Sequence, residues 1–422
     1  MTYAEAIEYL LDLSLFGSKL GLENPRRLAA LADSPHDRLH FIHVAGTNGK
    51  GSVCAMLESI YREAGLRTGL FTSPHLVSFR ERIQVNRELI PEKKLAQLTS
   101  KLRDLATDFP EGRKPTFFEM ATVMALSYFA EQSCDIVLWE TGMGGRLDAT
   151  NIVAPLASVI TNIGLDHTRW LGKSHAAIAA EKAGIIKPNV PLVTATRHPE
   201  ALAVIRAKAA RQGAELTELG QTENTIDLPL LGQHQQTNAA LAKAVVKRLQ
   251  AVLPVSTDVI RSGLAKVHWP GRLQVVRHGT QTILLDGAHN IEGAAMLRQT
   301  IAKMFAAESP VLILGMVNEK DGNGFCAELA PMAKRIVLSP VDSSNSTEPR
   351  KFLAPCRTAN PIAPVEVTES LGQALELCAI EPFVVVTGSF YLLGEAMEQL
   401  GLAPGSTQAE LRLNDWRTAI PK

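Results

Sequence analysis

The chain has 422 residues, a length that suits two to three domains of about 150 residues each. Its 43 Lys and Arg residues balance its 43 Asp and Glu residues, so the formal net charge is zero. This balance argues against a basic surface for nucleic acid or an anionic membrane, and against an acidic, disordered chain. An anionic ligand would therefore have to be held by a compact local group of side chains.

The first 15 residues carry Glu5, Glu8 and Asp12 and have no basic start, so they do not resemble a signal peptide. No apolar run approaches the roughly 20 residues that a membrane-spanning helix needs. The five cysteines form no CxxC pair, which argues against a disulfide framework and a zinc site. We therefore expect a soluble, cytoplasmic protein without a nucleic-acid or membrane partner. That it is a monomer acting on small molecules is a separate expectation, which these features do not address.

Short apolar runs alternate with amphipathic stretches along the chain. The predicted strands are residues 41–45, 136–139, 157–161, 191–194, 282–285, 311–314, 335–338 and 383–386. The predicted helices include residues 52–64, 118–132, 238–252 and 291–305. Because strands that alternate with helices usually form parallel sheets, the pattern predicts a mostly parallel α/β fold.

The domain organisation is indicated by where this alternation is interrupted. Residues 216–231 are polar and lack a helical period, so we expect short strands or loops there. Pro and Gly punctuate the chain at residues 269–272, after which a new strand–helix alternation begins. We therefore predict a domain over residues 1–272 and a smaller one over residues 273–422.

The sharpest motif is GTNGKGS at residues 46–52, which lies between a predicted strand and a predicted helix. In this context the backbone N–H groups of a glycine-rich loop converge on phosphate oxygens. Lys50 would reach the outer phosphates, and Ser52 or Thr47 could offer a hydroxyl to Mg²⁺. The motif departs from the strict P-loop pattern because Gly51 separates Lys50 from Ser52. The alternative is a plain glycine-rich turn between strand and helix.

Three further side chains are candidates for chemistry. Glu140 ends an apolar strand, and in a phosphate-loop protein such an acid lies near the metal of the nucleotide. His167 lies in a predicted loop, and Lys182 lies on a short predicted helix. Pattern alone favours Glu140, whereas a lone loop histidine is usually structural and a lone helical lysine is usually solvated.

Together the motifs resemble the Mur ligase superfamily, and within it the bifunctional dihydrofolate synthase/folylpolyglutamate synthase branch. The resemblance spans about residues 15–395 and rests on a set of short sequence motifs that occur in this order. These are GTNGKGS (46–52), TSPHL (72–76), ERI (81–83), ETGMGGRLDATN (140–151), LDHT (165–168), EKAGI (181–185), PGR (270–272) and DGAHN (286–290).

The resemblance implies a P-loop ATPase-like domain followed by a smaller, Rossmann-like α/β domain. It also implies an ATP-dependent amide ligase with two Mg²⁺ ions. In this family ATP phosphorylates a substrate carboxylate, and the amine of L-glutamate then attacks the acyl phosphate. The acceptors would be dihydropteroate and reduced folates. Two metal ions and a few cations would neutralise the charge that meets in one cleft.

By this resemblance, Ser73 and Glu140 bind the first Mg²⁺, and His167 helps to bind the second. Lys182 matches a lysine that the family carbamylates, which converts a cation into an anion beside the metal. The resemblance thus assigns catalytic roles to Lys50, Glu140, His167 and Lys182.

The nucleotide contacts carry over in the same way. Residues 47–50 would hold the phosphates, and the matched positions are Thr47, Asn48, Gly49 and Lys50, extended by Gly51 and Ser52. Asn238 matches a residue that contacts adenine. Arg272 and Asp286 match contacts to ATP, and His289 would face the same cleft. The alternative is that DGAHN only caps the next helix, with Asn290 as the N-cap.

Three segments match the pterin-binding positions of dihydrofolate-synthesising members. They comprise Thr116, Phe117, Phe118, Glu119, Leu147, Asp148 and Ala149, and more loosely Lys19 and Leu20. An aromatic ring can stack on a pterin, and Asp148 can accept hydrogen bonds from its amino-pyrimidine edge. The alternative for Phe117 and Phe118 is ordinary core packing at the start of a helix.

Other functions remain open at this point. A peptidoglycan Mur ligase has a separate domain before the phosphate loop, for which about 45 residues are too few. A non-catalytic ATP-binding module would not need Glu140, His167 and Lys182. A monofunctional folylpolyglutamate synthase would lack the dihydropteroate reaction. Because the nucleotide contacts fall on both domains, we also expect a hinge near residues 270–271.

Overall fold

The computed structural model describes residues 1–15, 21–110, 112–220, 226–306, 308–318, 320–403 and 408–414. Lys19 and Leu20, two of the predicted folate-binding residues, lie outside these ranges. The described chain forms two sheets flanked by helices, in agreement with the predicted α/β class.

The larger sheet has eight strands in the order β4-β3-β2-β5-β1-β6-β7-β8. Its strands are β1 (Phe41–Ala45), β2 (Thr68–Phe71), β3 (Ile83–Val85), β4 (Glu88–Leu89), β5 (Ile136–Glu140), β6 (Ala157–Ile160), β7 (Leu192–Thr194) and β8 (Leu216–Glu218). The antiparallel pairs are β2 with β3 and β3 with β4, and the other neighbouring strands are parallel. We call the part of the chain built on this sheet the N-terminal domain.

The smaller sheet has six strands in the order β13-β12-β11-β14-β10-β9. They are β9 (Gln274–His278), β10 (Gln281–Leu285), β11 (Val311–Leu314), β12 (Arg335–Leu338), β13 (Val365–Val367) and β14 (Phe383–Thr387). Only β9 is antiparallel to its neighbour. This sheet defines the C-terminal domain, and the predicted boundary at residues 269–272 falls between the two sheets.

Helices cover both faces of each sheet. Those of the N-terminal domain are α1 (Tyr3–Leu15), α2 (Glu23–Leu31), α3 (Lys50–Glu63), α4 (Glu92–Leu105), α5 (Phe117–Glu131), α6 (Thr168–Leu171), α7 (His175–Lys182), α8 (Pro199–Gln212), α9 (Gln233–Arg248) and α10 (Thr257–Ala265). The remainder are α11 (Ile291–Met304), α12 (Gly322–Leu329), α13 (Leu353–Ala359), α14 (Leu371–Leu377), α15 (Phe390–Gln399) and α16 (Gln408–Arg412). None of the helices in the described ranges combines the length and apolarity that crossing a bilayer requires.

All eight predicted strands and all four predicted helices are present, with small differences at their ends. The helix predicted from Asn238 begins earlier, at Gln233, because its first turn is polar and carries no apolar signal. The central strands are apolar on both faces because helices cover both sides of the sheet. In β1, for example, Phe41 packs into one core cluster and Ile42 into the opposite one.

The packing of α10 on α3 leads to a stability prediction. A Cβ atom added at Gly263 would lie 2.6 Å from the Ile60 Cα atom, a distance that forces the helices apart. We expect Gly263→Ala to lower the free energy of unfolding by roughly 1–3 kcal/mol, despite the better helix propensity of Ala. Denaturant unfolding measures this change. The matched control is Gly372→Ala on α14, where the nearest atom lies 3.5 Å away. A stable Gly263→Ala variant would contradict the close packing.

Candidate active site

A cleft of about 250 Å³ opens between the two domains, and residues of both sheets line it. Its wall includes the whole glycine-rich loop, residues 46–52, and residues 286–289 from the smaller sheet. These segments follow the carboxyl ends of β1 and β10. Each segment lies at the carboxyl edge of its own sheet, where ligands of α/β proteins usually bind, and the two edges face each other across the cleft.

The glycine-rich loop joins β1 to α3, as its sequence predicts. Gly49 has φ of 83° and forms the N-cap of α3, a conformation that favours glycine. Two residues that follow β6 hold the loop in place. Asn48 N–H donates to Asn162 Oδ1 at 2.8 Å, and Thr161 Oγ1 donates to Asn48 O at 2.6 Å. A Cβ on Gly49 would lie 2.6 Å from Asn238 Oδ1, so Asn238 packs directly against the loop.

The two hydroxyl groups predicted as magnesium ligands in this loop are already engaged. Thr47 Oγ1 donates to Gly164 O at 3.2 Å and accepts from Gly164 N–H at 2.9 Å. Ser52 Oγ accepts a weak hydrogen bond from Gln235 Nε2 at 3.4 Å. Ser73 differs, because its hydroxyl is buried and has no hydrogen-bond partner within the described chain. Of these hydroxyls, Ser73 is the one left unpaired for an added ligand.

Glu140 ends β5 and lies between Ser73 and Lys50. Its Oε2 accepts from Ser73 N–H at 3.1 Å, and its Oε1 lies 3.8 Å from Lys50 Nζ. Burial raises the pKa of Glu140, while the nearby Lys50 lowers it in part. A buried carboxylate beside an unpaired hydroxyl is a donor set that suits Mg²⁺, which prefers oxygen ligands.

Within the described ranges, no three His, Cys, Asp or Glu side chains gather closely enough to hold a metal ion by themselves. This agrees with the usual behaviour of Mg²⁺, which takes one or two carboxylates from the protein and completes its shell with phosphates and water. The residues present therefore fit a metal that binds together with a nucleotide.

Lys182 lies at the end of α7 and is only 4% exposed, so it is not an ordinary solvated lysine. Its Nζ donates to Gly46 O at 2.7 Å, directly beneath the phosphate loop. Burial and the neighbouring charge of Lys50 lower the pKa of Lys182 to about 7. A large fraction of this amine is therefore neutral near physiological pH.

His167 lines the cleft just before α6, in a left-handed conformation with φ of 50°. Such a backbone is uncommon for a residue other than Gly, Asn or Asp, and it is typical of functional positions. Burial, assisted by the charge of Lys320, lowers the pKa of His167 to about 3. The imidazole is therefore neutral and can act as a metal ligand.

Asp166 connects the two domains across the cleft, a role that the sequence did not indicate. Its carboxylate accepts from Lys320 Nζ at 2.6 Å and from Asn290 Nδ2 at 3.2 Å, and lies 3.5 Å from His289 Nε2. Burial alone would raise the pKa of Asp166, but His289 and Lys320 lower it well below its usual range. This group of charges holds the C-terminal domain against the loop that carries His167.

The cross-domain contact leads to a second prediction. We expect Asp166→Asn to leave the partly buried Lys320 without its anionic partner, which favours separation of the domains and lowers turnover by about tenfold or more. Steady-state assays and solution scattering measure the two effects. Glu218→Gln, which breaks an exposed pair with Arg206, is the control and should change neither. An unchanged radius of gyration together with unchanged turnover would contradict the role of Asp166.

The predicted residues of the C-terminal domain reach the cleft. The Asp286 carboxylate accepts hydrogen bonds from Leu273 N–H at 2.9 Å and Ala288 N–H at 3.0 Å. Burial raises the pKa of Asp286. The Arg272 guanidinium lies 4.7 Å from the Phe390 ring centroid. Asn290 is the N-cap of α11 and accepts from Gly293 N–H at 2.8 Å. DGAHN therefore caps a helix and also lines the cleft.

The predicted folate-binding residues have clear structural roles. Thr116 and Glu119 form a capping box at the start of α5. Phe117 is buried in the core of the N-terminal domain, as the packing alternative proposed, and Phe118 packs partly against that core. Asp148 accepts from Met143 N–H at 2.8 Å and Thr150 N–H at 3.0 Å.

The wall of the cleft includes residues 142–144 but none of the described residues 116–119 or 147–149. Leu147 and Ala149 belong to this second group. Their contact with a pterin stays a prediction.

Several cleft residues were not predicted as site residues. They are Arg82, Asp166, His234, Gln235, Lys320, Ser389, Phe390, Tyr391 and Asn414. Arg82 lies in the motif ERI and Asp166 in the motif LDHT. Both motifs were recognised, but neither indicated a role for these two side chains. Asn414 lies in no motif that could have pointed to the cleft.

Comparison with known proteins identifies the class first. Residues 44–191 match the middle domain of Mur ligases, and residues 271–390 match the Mur ligase glutamate ligase domain. The cleft lies between these two matched regions. The chain is therefore built as an ATP-dependent ligase of the Mur type, as its motifs indicated.

Whole-chain relatives narrow the assignment. The dihydrofolate synthase/folylpolyglutamate synthase of Bacillus subtilis is 35% identical over 432 residues, covering 94% of this chain and 99% of that protein. The protein of the same name from Escherichia coli is 32% identical and covers 94% of each chain. The chain belongs to the dihydrofolate synthase/folylpolyglutamate synthase family.

Solved structures agree with this assignment. Escherichia coli FolC in complex with DHPP and ADP superposes with a TM-score of 0.85 at 31% identity, over 95% of this chain and 98% of that chain. The folylpolyglutamate synthase of Thermotoga maritima gives a TM-score of 0.84 at 32% identity, over 96% and 98%. The family predicted from the ordered motifs is confirmed.

Proposed function

We propose that this protein joins L-glutamate to dihydropteroate, and to the γ-carboxyl of reduced folates, at the expense of ATP. The observation that carries the proposal is the cleft itself. It brings the phosphate loop, Glu140 and Lys182 from one domain together with Arg272 and Asp286 from the other. The relatives that match over nearly their whole length carry the names of both activities, and one similar structure contains ADP together with DHPP.

The reaction makes an amide from a carboxylate and an amine. The carboxylate first takes the γ-phosphoryl group of ATP, which converts a poor electrophile into an acyl phosphate and releases ADP. The glutamate amine then adds to the carbonyl carbon, loses a proton, and expels phosphate. Each stage places several negative oxygens in one cleft, where Lys50 and Arg272 are positioned to neutralise them.

The metal requirement follows from the same charges. Two Mg²⁺ ions, when bound, would neutralise phosphate oxygens and hold the reacting groups in line. Ser73 and Glu140 would hold the first, and the unpaired Ser73 hydroxyl beside the buried carboxylate supports this assignment. His167, with its neutral imidazole, and Lys182 would hold the second.

Lys182 would serve this role as a carbamate. A neutral amine attacks CO₂, forms an N–C bond and releases one proton, which leaves an anionic carboxylate on the nitrogen. Burial already disfavours the ammonium form of Lys182, so this step starts from a partly neutral amine. The product would add an oxygen ligand beneath the phosphate loop, where Lys182 Nζ now donates to Gly46 O.

A monofunctional folylpolyglutamate synthase is the second candidate. The folylpolyglutamate synthase of Lacticaseibacillus casei is 32% identical and is covered over 99% of its length. The two candidates differ only in whether dihydropteroate is accepted. The buried position of Phe117 weakens one argument for that acceptor but leaves the ligase chemistry intact.

The decisive assay measures ADP release with ATP, Mg²⁺, L-glutamate and either dihydropteroate or tetrahydrofolate. We expect glutamate-dependent release with both acceptors. Release with tetrahydrofolate alone would reduce the function to folylpolyglutamate synthase. Nucleotide binding without release would instead favour a non-catalytic module. Lys50→Ala is the matched negative control, because it removes the cation of the phosphate loop.

We further propose that the enzyme acts as a monomer in the cytoplasm. The cleft is lined from both domains of a single chain, so no second copy is needed to complete it. ATP and reduced folates are cytoplasmic small molecules, which suits this location. Sedimentation of the active protein tests the first point, and activity in a dimer that is lost on dissociation would contradict it.

A further inference from the structure

Arg82 is a buried cation in the cleft without an acidic partner. It lies at the end of a 3₁₀ helix (Phe79–Arg82), is 3% exposed, and lines the cleft. Its Nε donates to His75 Nδ1 at 2.9 Å and its Nη2 donates to Asn414 Oδ1 at 2.5 Å. Both acceptors are neutral, and no ion pair among the described residues includes Arg82. A buried guanidinium in this state attracts an anion from outside the protein.

The direction of the guanidinium is set by the C-terminal segment, residues 408–414. Glu410 O accepts from His75 Nε2 at 2.9 Å, so the Nδ1 atom of His75 carries no proton and faces Arg82 as an acceptor. Asn414 Nδ2 donates to His75 O at 2.9 Å, which turns its Oδ1 toward Arg82. Nη1 of Arg82 is left without a partner in the described chain.

The C-terminal segment is anchored in the N-terminal domain. The Glu410 carboxylate accepts from Ser78 Oγ at 2.8 Å and Phe79 N–H at 3.2 Å, and it also accepts from the Tyr3 hydroxyl. Leu413 is 2% exposed and belongs to the core cluster of that domain. The chain thus returns from the C-terminal domain and contributes Asn414 to the wall of the cleft.

The position of Arg82 indicates which of the anions in the cleft it would bind. The phosphates of ATP are expected at residues 46–52, where Lys50 already supplies a cation. The Arg82 guanidinium donates to His75, two residues beyond Ser73, which places it on the side of the cleft that carries Ser73 and Glu140. The acceptor carboxylate has to reach this side of the cleft in order to take a phosphoryl group from ATP. A planar guanidinium can hold a carboxylate through two parallel hydrogen bonds.

We propose that Arg82 binds the carboxylate of the folate-type acceptor, and that Asn414 is the positioning residue that aims it. This inference rests on the proposed function. The C-terminal segment is then part of the active site, although it is the last described part of the chain. Asn414 acts through Arg82, whose orientation it sets by accepting from Nη2.

The test compares variants of Asn414 in the full-length enzyme. Asn414→Ala should raise KM for dihydropteroate or tetrahydrofolate by about tenfold or more, while KM for ATP changes less than about twofold. Asn414→Asp places a carboxylate on Arg82 and neutralises it, so KM for the acceptor should rise although the thermal midpoint is kept. Arg82→Lys, which keeps the charge but loses the planar fork, should also raise this KM.

Arg412→Ala is the matched control, because Arg412 is exposed on the same segment and should leave all constants unchanged. An unaltered acceptor KM in Asn414→Asp would overturn the positioning role. A rise in the KM for ATP alone would overturn the assignment to the acceptor carboxylate. Absence of wild-type turnover with either acceptor would remove the proposed function as well, whereas active wild type with unaffected variants would remove only this inference.

Discussion

Replacing Glu140 by Gln is expected to lower kcat by roughly 10²- to 10³-fold while the protein stays folded. Gln has nearly the same shape and can still accept the hydrogen bond from Ser73 N–H, so the local geometry is kept. It removes a buried negative charge whose raised pKa shows the cost of keeping it ionised. The thermal midpoint should therefore be unchanged or higher, as is common when a functional charge is removed.

The measurement pairs steady-state turnover over a range of Mg²⁺ concentrations with thermal unfolding. Glu58→Gln is the matched control, because Glu58 is also buried but pairs with Arg62 at 2.8 Å and accepts from Thr68 Oγ1 at 2.8 Å. It should lower stability by roughly 1–3 kcal/mol and keep turnover. A Glu140→Gln enzyme with more than half of the normal kcat would exclude Glu140 as a metal ligand.

The fold could be predicted from the sequence where burial is strong on both sides of a strand. Strands such as β1 and β5 consist mostly of apolar residues and lie between two helical layers, so they can be recognised from the sequence alone. By contrast, β2 and β9 were not predicted. β2 is buried along its whole length, but its four residues include Thr and Gly and form no apolar run, whereas β9 has no fully buried residue and pairs with one neighbour only.

The site could be predicted where its residues belong to short local strings. Gly46 and Glu140 stand at the ends of predicted strands and Lys50 follows in the same loop as Gly46, and the topology of a parallel sheet brings such ends together. Burial of Lys182 could not be predicted, because the pattern of α7 does not show that the end of β1 covers it. The family resemblance supplied that position in place of physical reasoning.

Contacts between segments that are far apart in the chain could not be predicted from the sequence. Arg82 and Asn414 are separated by 332 positions, and Asp166 and Lys320 by 154. No local period or motif records such a pairing, because each partner alone has the composition of an ordinary polar surface residue. Both pairs lie at the junction of the domains, where the arrangement of the two sheets decides which side chains meet.

Lys182→Ala is expected to lower kcat by roughly 10²-fold or more, and added bicarbonate should not restore it. The substitution removes the nitrogen on which a carbamate would form and leaves a small cavity below Gly46. In the wild type, removal of CO₂ should lower turnover and bicarbonate should restore it. A carbamate ¹³C signal from labelled CO₂ gives a readout that does not depend on activity.

A carbamate on Lys182 predicts the direction in which turnover depends on pH. With its pKa lowered to about 7, Lys182 is half neutral at that pH. Its neutral fraction falls to about a tenth one pH unit lower. Carbamate formation needs the neutral amine, so wild-type turnover should depend more steeply on bicarbonate as the pH falls below about 7. The opposite trend, with bicarbonate acting only at high pH, would contradict the carbamate.

Lys187 provides the matched control, because burial also lowers the pKa of this lysine, to about 8. Its Nζ donates to Asn151 O at 3.1 Å, away from the lining of the cleft. Lys187→Ala should keep both turnover and the labelled carbamate signal. If Lys182→Ala kept the signal and Lys187→Ala lost it, the modified residue would be Lys187. A lowered pKa is common to both side chains, so the position beneath the phosphate loop is what distinguishes Lys182.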